Sequence, residues 1–187
     1  VYVSGEQMSA SNRDVVLASC EVSATDWVCT DLVVFEHEGQ DYAAGLVVTP
    51  SHLVVGGFVD RHESTKNTDF AALYVFKDSL EPDLSVGDAG LVYLERERSV
   101  DDSERVFGIH ATSDGGVMLV GSEWVPFVSA NLAVKLTPTG EIDTSFGEQG
   151  VFRTYNTPYH LKGLAQLNTV IETNDYYVFA GSQNFNG

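Results

Sequence analysis

The sequence predicts an all-β protein, a β-propeller made of four-stranded antiparallel blades, with about three blades present. An eight-residue signature that begins at Asp83 returns 60 residues later at Asp143. No helical periodicity is sustained over ten residues. Short apolar runs that end in glycine recur along the chain, at Gly5, Gly56, Gly121 and Gly181. A repeat of this length is one unit that buries its apolar face only by stacking on its neighbours.

The first two strands of each unit are short apolar runs. Residues 42–48, 106–111 and 161–164 carry a glycine and precede the runs that end in glycine, so they predict the first strand. Between the two strands of the third unit lies the turn 112–116, where an Asp-Gly pair can adopt the positive φ of a tight hairpin.

The third strand of each unit is predicted at residues 32–35, 72–76 and 132–136, and the fourth at residues 91–94 and 151–154. Residues 1–187 then form a single repeat domain with units at about 1–40, 41–94, 104–155 and, in part, 160–187. Propellers close with roughly four to eight blades, so we expect the domain to be part of a larger propeller. The further blades would come from a longer chain or from homo-oligomerisation.

The signature predicts a structural turn. Its Asp or Ser side chain can bind the backbone two residues on, and its central glycine can be left-handed. The aromatic ring of Phe146 is expected in the groove between layers, where Val86 makes a smaller plug. The residues of this predicted repeat motif are Asp83, Ser85, Gly87, Gly90, Asp143, Ser145, Phe146, Gly147 and Gly150.

Charge limits the partners of the chain. Ten Lys and Arg stand against 27 Asp and Glu, a net charge of −17, which argues against nucleic acid as a partner. No apolar run is long enough to cross a bilayer, so no membrane insertion is predicted. The sequence shows no metal-ligand spacing and no cofactor motif, although the carboxylates leave Ca²⁺ as an alternative.

The two cysteines predict a disulfide. Cys20 and Cys29 lie in two β-rich runs around a short polar turn, which would place their thiols on facing strands. The alternative is a pair of buried free thiols. A disulfide favours an oxidising location, which would be extracellular, periplasmic or at the cell surface.

Three aromatic residues are candidates for ligand binding. Trp124 and Phe127 flank a proline in a variable inter-strand loop, and Trp27 lies in the turn between the cysteines. An exposed aromatic ring can stack on a sugar or anchor a protein partner. The alternative is that each tryptophan covers the edge of a blade core.

Residues 132–150, LAVKLTPTGEIDTSFGEQG, resemble the delta-60 repeat of bacterial and archaeal surface or secreted proteins. The resemblance extends over residues 108–152, is weaker over 45–92, and fails in part before residue 40, where no signature follows Phe35. It implies β-propeller blades and a scaffold or binding role. No catalytic residues follow from it.

These observations predict a non-enzymatic extracellular or surface scaffold that binds a protein or a glycan. We predict no catalytic residues, because the sequence has no Gly-x-Ser-x-Gly elbow and its histidines lack the spacing of a helical metal site. One alternative is a propeller enzyme, a glycan or ester hydrolase or lyase, whose site is assembled from inter-blade loops. Another is a structural subunit of a surface assembly.

Overall fold

A computed structural model describes residues 1–8, 13–35, 40–60, 68–94, 103–125, 128–155 and 165–183. These residues form thirteen β-strands and no helix, so the all-β prediction is confirmed. The strands are β1 (Tyr2–Met8), β2 (Arg13–Val22), β3 (Trp27–Phe35), β4 (Asp41–Val48), β5 (His52–Asp60), β6 (Thr68–Phe76), β7 (Leu91–Tyr93), β8 (Ser103–Ala111), β9 (Val117–Val125), β10 (Val128–Leu136), β11 (Val151–Tyr155), β12 (Ala165–Glu172) and β13 (Tyr177–Gln183).

The strands form four antiparallel sheets that follow one another along the chain. Sheet 1 contains β1–β3, sheet 2 contains β4–β7, sheet 3 contains β8–β11 and sheet 4 contains β12–β13. Within each sheet, strands that are adjacent in sequence are adjacent in space. Sheets 2 and 3 therefore have the four strands that the repeat predicts.

Sheets 2, 3 and 4 each pack their first strand against the sheet before them. Strand β8 contacts β4, β5 and β6, and β12 contacts β8, β9 and β10. Strand β4 contacts β1 and β2, which therefore take the second and third places of the unit. Sheet 1 thus lacks a first strand among the described residues.

This arrangement corrects two strand assignments. The first strand of the last unit was expected at residues 161–164, which lie outside the described residues, and the strand in that place is β12 (Ala165–Glu172). Residues 32–35 were expected to be a third strand, but they belong to β3, which takes the fourth place. Strand β2 takes the third place because it pairs along the whole length of β1, from Tyr2 with Ser19 to Met8 with Arg13.

Three apolar clusters hold the sheets together. Leu17, Leu53 and Val75 pack between sheets 1 and 2, and Phe70 and Tyr74 lie in the largest cluster, between sheets 2 and 3. The third cluster joins sheets 3 and 4. Each fully buried apolar side chain contributes about 1.5–3 kcal/mol, so inter-sheet packing is a main source of stability.

Four short turns lie at one end of the sheets, which we call the turn end: residues 23–26, 49–52, 112–116 and 173–176. The Tyr2 hydroxyl donates to the Lys77 carbonyl oxygen, 3.3 Å away, which ties this end of sheet 1 to sheet 2. In the third turn Gly115 has a φ of 89°, as the Asp-Gly pair predicts.

The predicted disulfide is confirmed. Cys20 on β2 pairs directly with Cys29 on β3, with 3.9 Å between their Cα atoms, and their sulfur atoms are bonded. The turn between them is closed by Ser23, whose hydroxyl oxygen accepts from the Asp26 amide at 3.0 Å.

Candidate functional site

An apolar cleft of about 350 Å³ lies between strands β2 and β3 of sheet 1 and the four strands of sheet 2. Its volume falls in the range of small-ligand sites, and apolar side chains with a few polar groups line it, as in such sites. The wall from sheet 1 includes Val15 and Phe35. The wall from sheet 2 includes Leu73, Leu91 and Tyr93.

The equivalent space between sheets 2 and 3 is nearly closed. Only a gap of about 10 Å³ remains there, because Phe70, Val92 and Leu94 of sheet 2 face Leu119 and Val134 of sheet 3. Sheet 2 also inserts the signature residue Val86, which is buried and lies close to Gly140. Sheet 1 has no signature, and among the described residues no side chain comparable to Val86 closes its cleft against sheet 2.

The polar groups of the cleft lie on sheet 2. Asp41 is buried at the start of β4, and Asp88 lies in the signature turn. The Tyr42 ring stacks on Phe58 with 4.4 Å between the centroids. The Arg13 guanidinium lies 4.4 Å from the centroid of the same Tyr42 ring. Stacking and the cation–π contact hold this wall in place.

The two signature turns have the same backbone. Gly87 and Gly147 both have a φ of 54°, so the predicted left-handed glycine is confirmed. Ala89 and Gln149 are also left-handed, with φ of 53° and 55°. Gly90 and Gly150 follow them with φ of 94° and 86°. The two turns end at Gly90 and Gly150, and β7 and β11 begin at the next residue.

The signature aspartates hold these turns closed. Asp83 Oδ1 accepts from the Ser85 amide at 3.0 Å and from its hydroxyl at 2.6 Å. Asp143 Oδ1 accepts from the Ser145 amide and hydroxyl at the same distances. The predicted bond to the backbone two residues on is therefore confirmed in both turns.

The second carboxylate oxygen, Oδ2, contacts a basic side chain in both turns, but this side chain differs between them. Asp83 Oδ2 lies 2.8 Å from Nε2 of His52, and Asp143 Oδ2 lies 2.8 Å from Nζ of Lys135. The bond from Lys135, followed by that from Ser145, lowers the pKa of Asp143 to about 2. The bonds from Ser85, followed by that from His52, lower the pKa of Asp83. Both side chains are therefore anionic parts of the structure at neutral pH.

His52 also joins Asp83 to a serine. Its Nδ1 lies 2.9 Å from the Ser51 hydroxyl oxygen, so Ser51, His52 and Asp83 form one hydrogen-bonded row. A serine next to a histidine that contacts a carboxylate has the elements of an activated nucleophile. Ser51 does not line the apolar cleft, and in sheet 3 a lysine replaces the histidine. The row therefore serves first to hold the turn.

The plug residues differ as the sequence predicts. Phe146 is half-buried beside the apolar cluster of sheets 3 and 4, and its ring meets Tyr177 edge-on with 5.8 Å between the centroids. Val86 is buried between sheets 2 and 3. Each signature therefore joins its own sheet to the next one.

The aromatic binding candidates are not brought together. Trp27 is 61% exposed at the turn end, at the start of β3, whereas Trp124 is 44% exposed near the opposite end of β9. Phe127 lies outside the described residues. Ligand binding by each tryptophan and its alternative, a ring that covers the edge of a blade core, both stay predictions, and the two rings do not form one site.

Asp41, Tyr42 and Tyr93 line the cleft but were not among the predicted binding residues. The available signal was the absence of a signature from the first unit, which leaves the facing part of sheet 2 uncovered. A second, polar cleft at the turn end was also missed. There Glu172 accepts from the Ser113 amide at 2.6 Å and from its hydroxyl at 2.8 Å.

Among the described residues, no three His, Cys, Asp or Glu side chains are grouped as a metal ion would need. The Ca²⁺ alternative stays a prediction. In the part of the chain that the structure describes, no helix has the length and apolar character to span a membrane.

No protein-family model matches this sequence, and no curated protein matches it significantly. The resemblance to delta-60 repeats therefore stays an expectation based on residues 132–150.

Proposed function

We propose that this chain is a non-enzymatic scaffold of the β-propeller type, placed outside the cell or at its surface, that binds a protein or a glycan. The observation that carries the proposal is the cleft between sheets 1 and 2, which opens where one unit lacks its signature. Repeat proteins bind partners through concave surfaces that a rigid scaffold holds in place, and the cleft is a concave surface of this kind.

The propeller arrangement is supported by the order of the sheets. Four antiparallel sheets follow one another, and the first strands of sheets 2, 3 and 4 pack on the preceding sheet. Radial repetition of such sheets is how propellers protect their strand edges. The spacing of the signature supports a relation to the delta-60 repeats.

The location outside the cell is supported by the disulfide. Cys20 and Cys29 are bonded, and disulfides persist in oxidising compartments. The excess of acidic residues is compatible with a solvated extracellular surface.

A non-enzymatic role is supported by the use of the signature carboxylates. Asp83 and Asp143 each bind a serine and a basic side chain of their own sheet. Both oxygens of each carboxylate are therefore engaged in holding a turn.

Binding can be tested by filling the cleft. The full chain is screened on a glycan array and with a displayed peptide library, and the selected ligands are titrated. Leu91→Trp adds bulk to a cleft wall, and we expect at least a tenfold loss of affinity. Leu84→Trp makes the same change at a side chain that is 74% exposed outside the cleft, and it should bind normally. Ligands that bind both variants equally would show that the cleft is not the site.

A hydrolase is the second candidate, and the row of Ser51, His52 and Asp83 is the observation that favours it. A fluorophosphonate probe labels an activated serine covalently. If the scaffold proposal holds, the native chain and Ser51→Ala will both stay unlabelled. Labelling that Ser51→Ala abolishes would favour the enzyme.

A further inference from the structure

Four aromatic rings line the apolar cleft between sheets 1 and 2. Phe35 comes from sheet 1, and Tyr42, Phe58 and Tyr93 come from sheet 2. All four side chains are half-buried, so part of each ring is accessible. The face of an aromatic ring carries partial negative charge and attracts cations as well as apolar groups. The cleft therefore has a surface that suits an apolar ligand with a positive charge.

Two rings of this cleft already receive cations from the chain itself. The guanidinium carbon of Arg13 lies 4.4 Å from the centroid of the Tyr42 ring, and that of Arg105 lies 6.0 Å from the centroid of the Phe58 ring. Both distances are within the range of a cation–π contact. The rings on this wall therefore bind guanidinium groups where the chain supplies them.

The charged side chains of the cleft are acidic. Asp41 and Asp88 line it, and no lysine or arginine is found among the described residues that do so. Asp88 lies in the signature turn with an exposed side chain. Within the described part of the chain its carboxylate has no hydrogen bond or ion pair, whereas Asp83 of the same turn is held by Ser85 and His52. Asp88 can therefore pair with a positive group of a ligand.

The cleft has few polar groups for the hydroxyls of a sugar. The Tyr42 hydroxyl donates to Oε1 of Gln40 at 3.0 Å, and side chains such as Val15, Leu73 and Leu91 make up most of the walls. A hydroxyl that is buried without a hydrogen bond costs free energy, whereas an apolar side chain gains free energy on burial. The walls therefore favour the side chains of a protein over a glycan.

We infer that the cleft binds a protein segment in which a lysine or arginine stands beside large apolar side chains, with the basic group paired to Asp88. The inference rests on the proposed function, because it assigns a class of partner to the same cleft. Burial of the apolar side chains supplies affinity, and the charge at Asp88 supplies specificity. The net charge of −17 also attracts a basic partner at long range.

The first test is a selection from a displayed library of random dodecapeptides on the full chain. We expect the native chain to enrich peptides that carry a lysine or arginine within three positions of two large apolar residues. On Asp88→Asn the preference for the basic residue should fall at least fivefold, while the preference for apolar residues stays. Because Asp88 is exposed, this variant should keep the native Tm.

Glu148→Gln is the matched control. Glu148 takes the place of Asp88 in the second signature turn, with the same backbone bonds to the residue that starts the next strand, and its side chain is exposed outside the cleft. The substitution removes one negative charge, as Asp88→Asn does. It should enrich the same peptides as the native chain, which separates the local charge of the cleft from the net charge.

The second test titrates the most enriched peptide, labelled for fluorescence polarisation, and the same peptide with glutamine in place of its basic residue. Asp88→Asn should weaken binding of the basic peptide at least fivefold and change binding of the glutamine peptide less than twofold. This cycle isolates the coupling between the basic group and Asp88. Leu91→Trp should weaken both peptides, because it fills the cleft that takes their apolar side chains.

Three results would overturn the inference: enriched peptides without a basic residue, an equal effect of Asp88→Asn on both peptides, and binding of glycans alone. In each case a ligand that Leu91→Trp displaces would still support the proposed function, so the two failures are distinct. If neither peptides nor glycans bind, the proposed function fails, and the inference fails with it.

Discussion

Sheets 1 and 3 connect their third and fourth strands by different chemistry. In sheet 3 the link from β10 to β11 is the signature turn, held by Asp143, Ser145 and Lys135. In sheet 1 the corresponding link from β2 to β3 is a tight hairpin, held by the disulfide between Cys20 and Cys29. The short link omits the signature side chain that elsewhere fills the gap to the next sheet. A change in one local connection therefore opens a cleft between two sheets.

The first prediction compares Gly121 on β9 with Gly5 on β1, since each lies on the second strand of its sheet. Gly121→Ala would force a Cβ atom to within 1.8 Å of the Arg105 carbonyl oxygen. We expect it to lower the free energy of unfolding by about 3 kcal/mol, because the backbone must shift. Gly5→Ala, with open space, should change it by less than about 0.5 kcal/mol. Urea unfolding of both variants measures the difference, and equal losses would contradict the open space at Gly5.

Loss of the disulfide should have the next largest effect on stability. Replacing Cys20 and Cys29 together with alanine should lower the free energy of unfolding by about 2–3 kcal/mol, since the bond closes a short loop in the unfolded chain. Urea titrations with and without a reductant measure this loss. The reductant should destabilise the native chain but not the double variant, and an identical response of the two proteins would argue against the bond.

Removal of the Phe146 ring tests whether a signature side chain keeps the space between two sheets closed. Phe146→Ala should lower the free energy of unfolding by about 2 kcal/mol, because the ring is only half-buried against Tyr177. The change should also open between sheets 3 and 4 a space like the cleft of sheet 1. Thr144→Ala, at an exposed position of the same turn, is the control. Binding of a hydrophobic dye by Phe146→Ala alone would report the new space.

The smallest expected effect is a loss of folding stability at acid pH. The pKa of Asp143 is about 2 in the folded protein, below its ordinary value of about 3.9 in an unfolded chain. Its ionised form therefore stabilises the fold above about pH 4, and the contribution is lost as the pH falls towards 2. Asp143→Asn should cost about 1 kcal/mol at pH 7, a small value because the ion pair is partly solvated.

The measurement is chemical unfolding between pH 7 and pH 2. The native chain should lose more stability than Asp143→Asn between pH 4 and pH 2. Parallel curves over this interval would show that Asp143 does not contribute through its charge. The exposed neighbour Glu141 provides a control, since Glu141→Gln should leave the difference in place.

The disulfide and the signature turns could be predicted because each depends on residues close in the chain. Cys20 and Cys29 are nine positions apart, and Ser85 binds a carboxylate two positions before it. The partner of Asp83 could not be predicted in this way, because His52 lies 31 positions earlier and reaches it only once β5 and β6 are paired. The ion pair between Lys135 and Asp114 could not be predicted either, because Asp114 lies on another turn, 21 positions earlier.

Local patterns were enough to predict the all-β class, the two signature turns and the facing cysteines, because alternation, turn chemistry and short spacings act between near neighbours. They did not predict that no described strand takes the first place of sheet 1, that a Cβ atom at Gly5 would have open space, or that an apolar cleft separates sheets 1 and 2. These features depend on which strand packs on which sheet. That choice depends on complementary side chains from distant parts of the chain, and no local pattern encodes it.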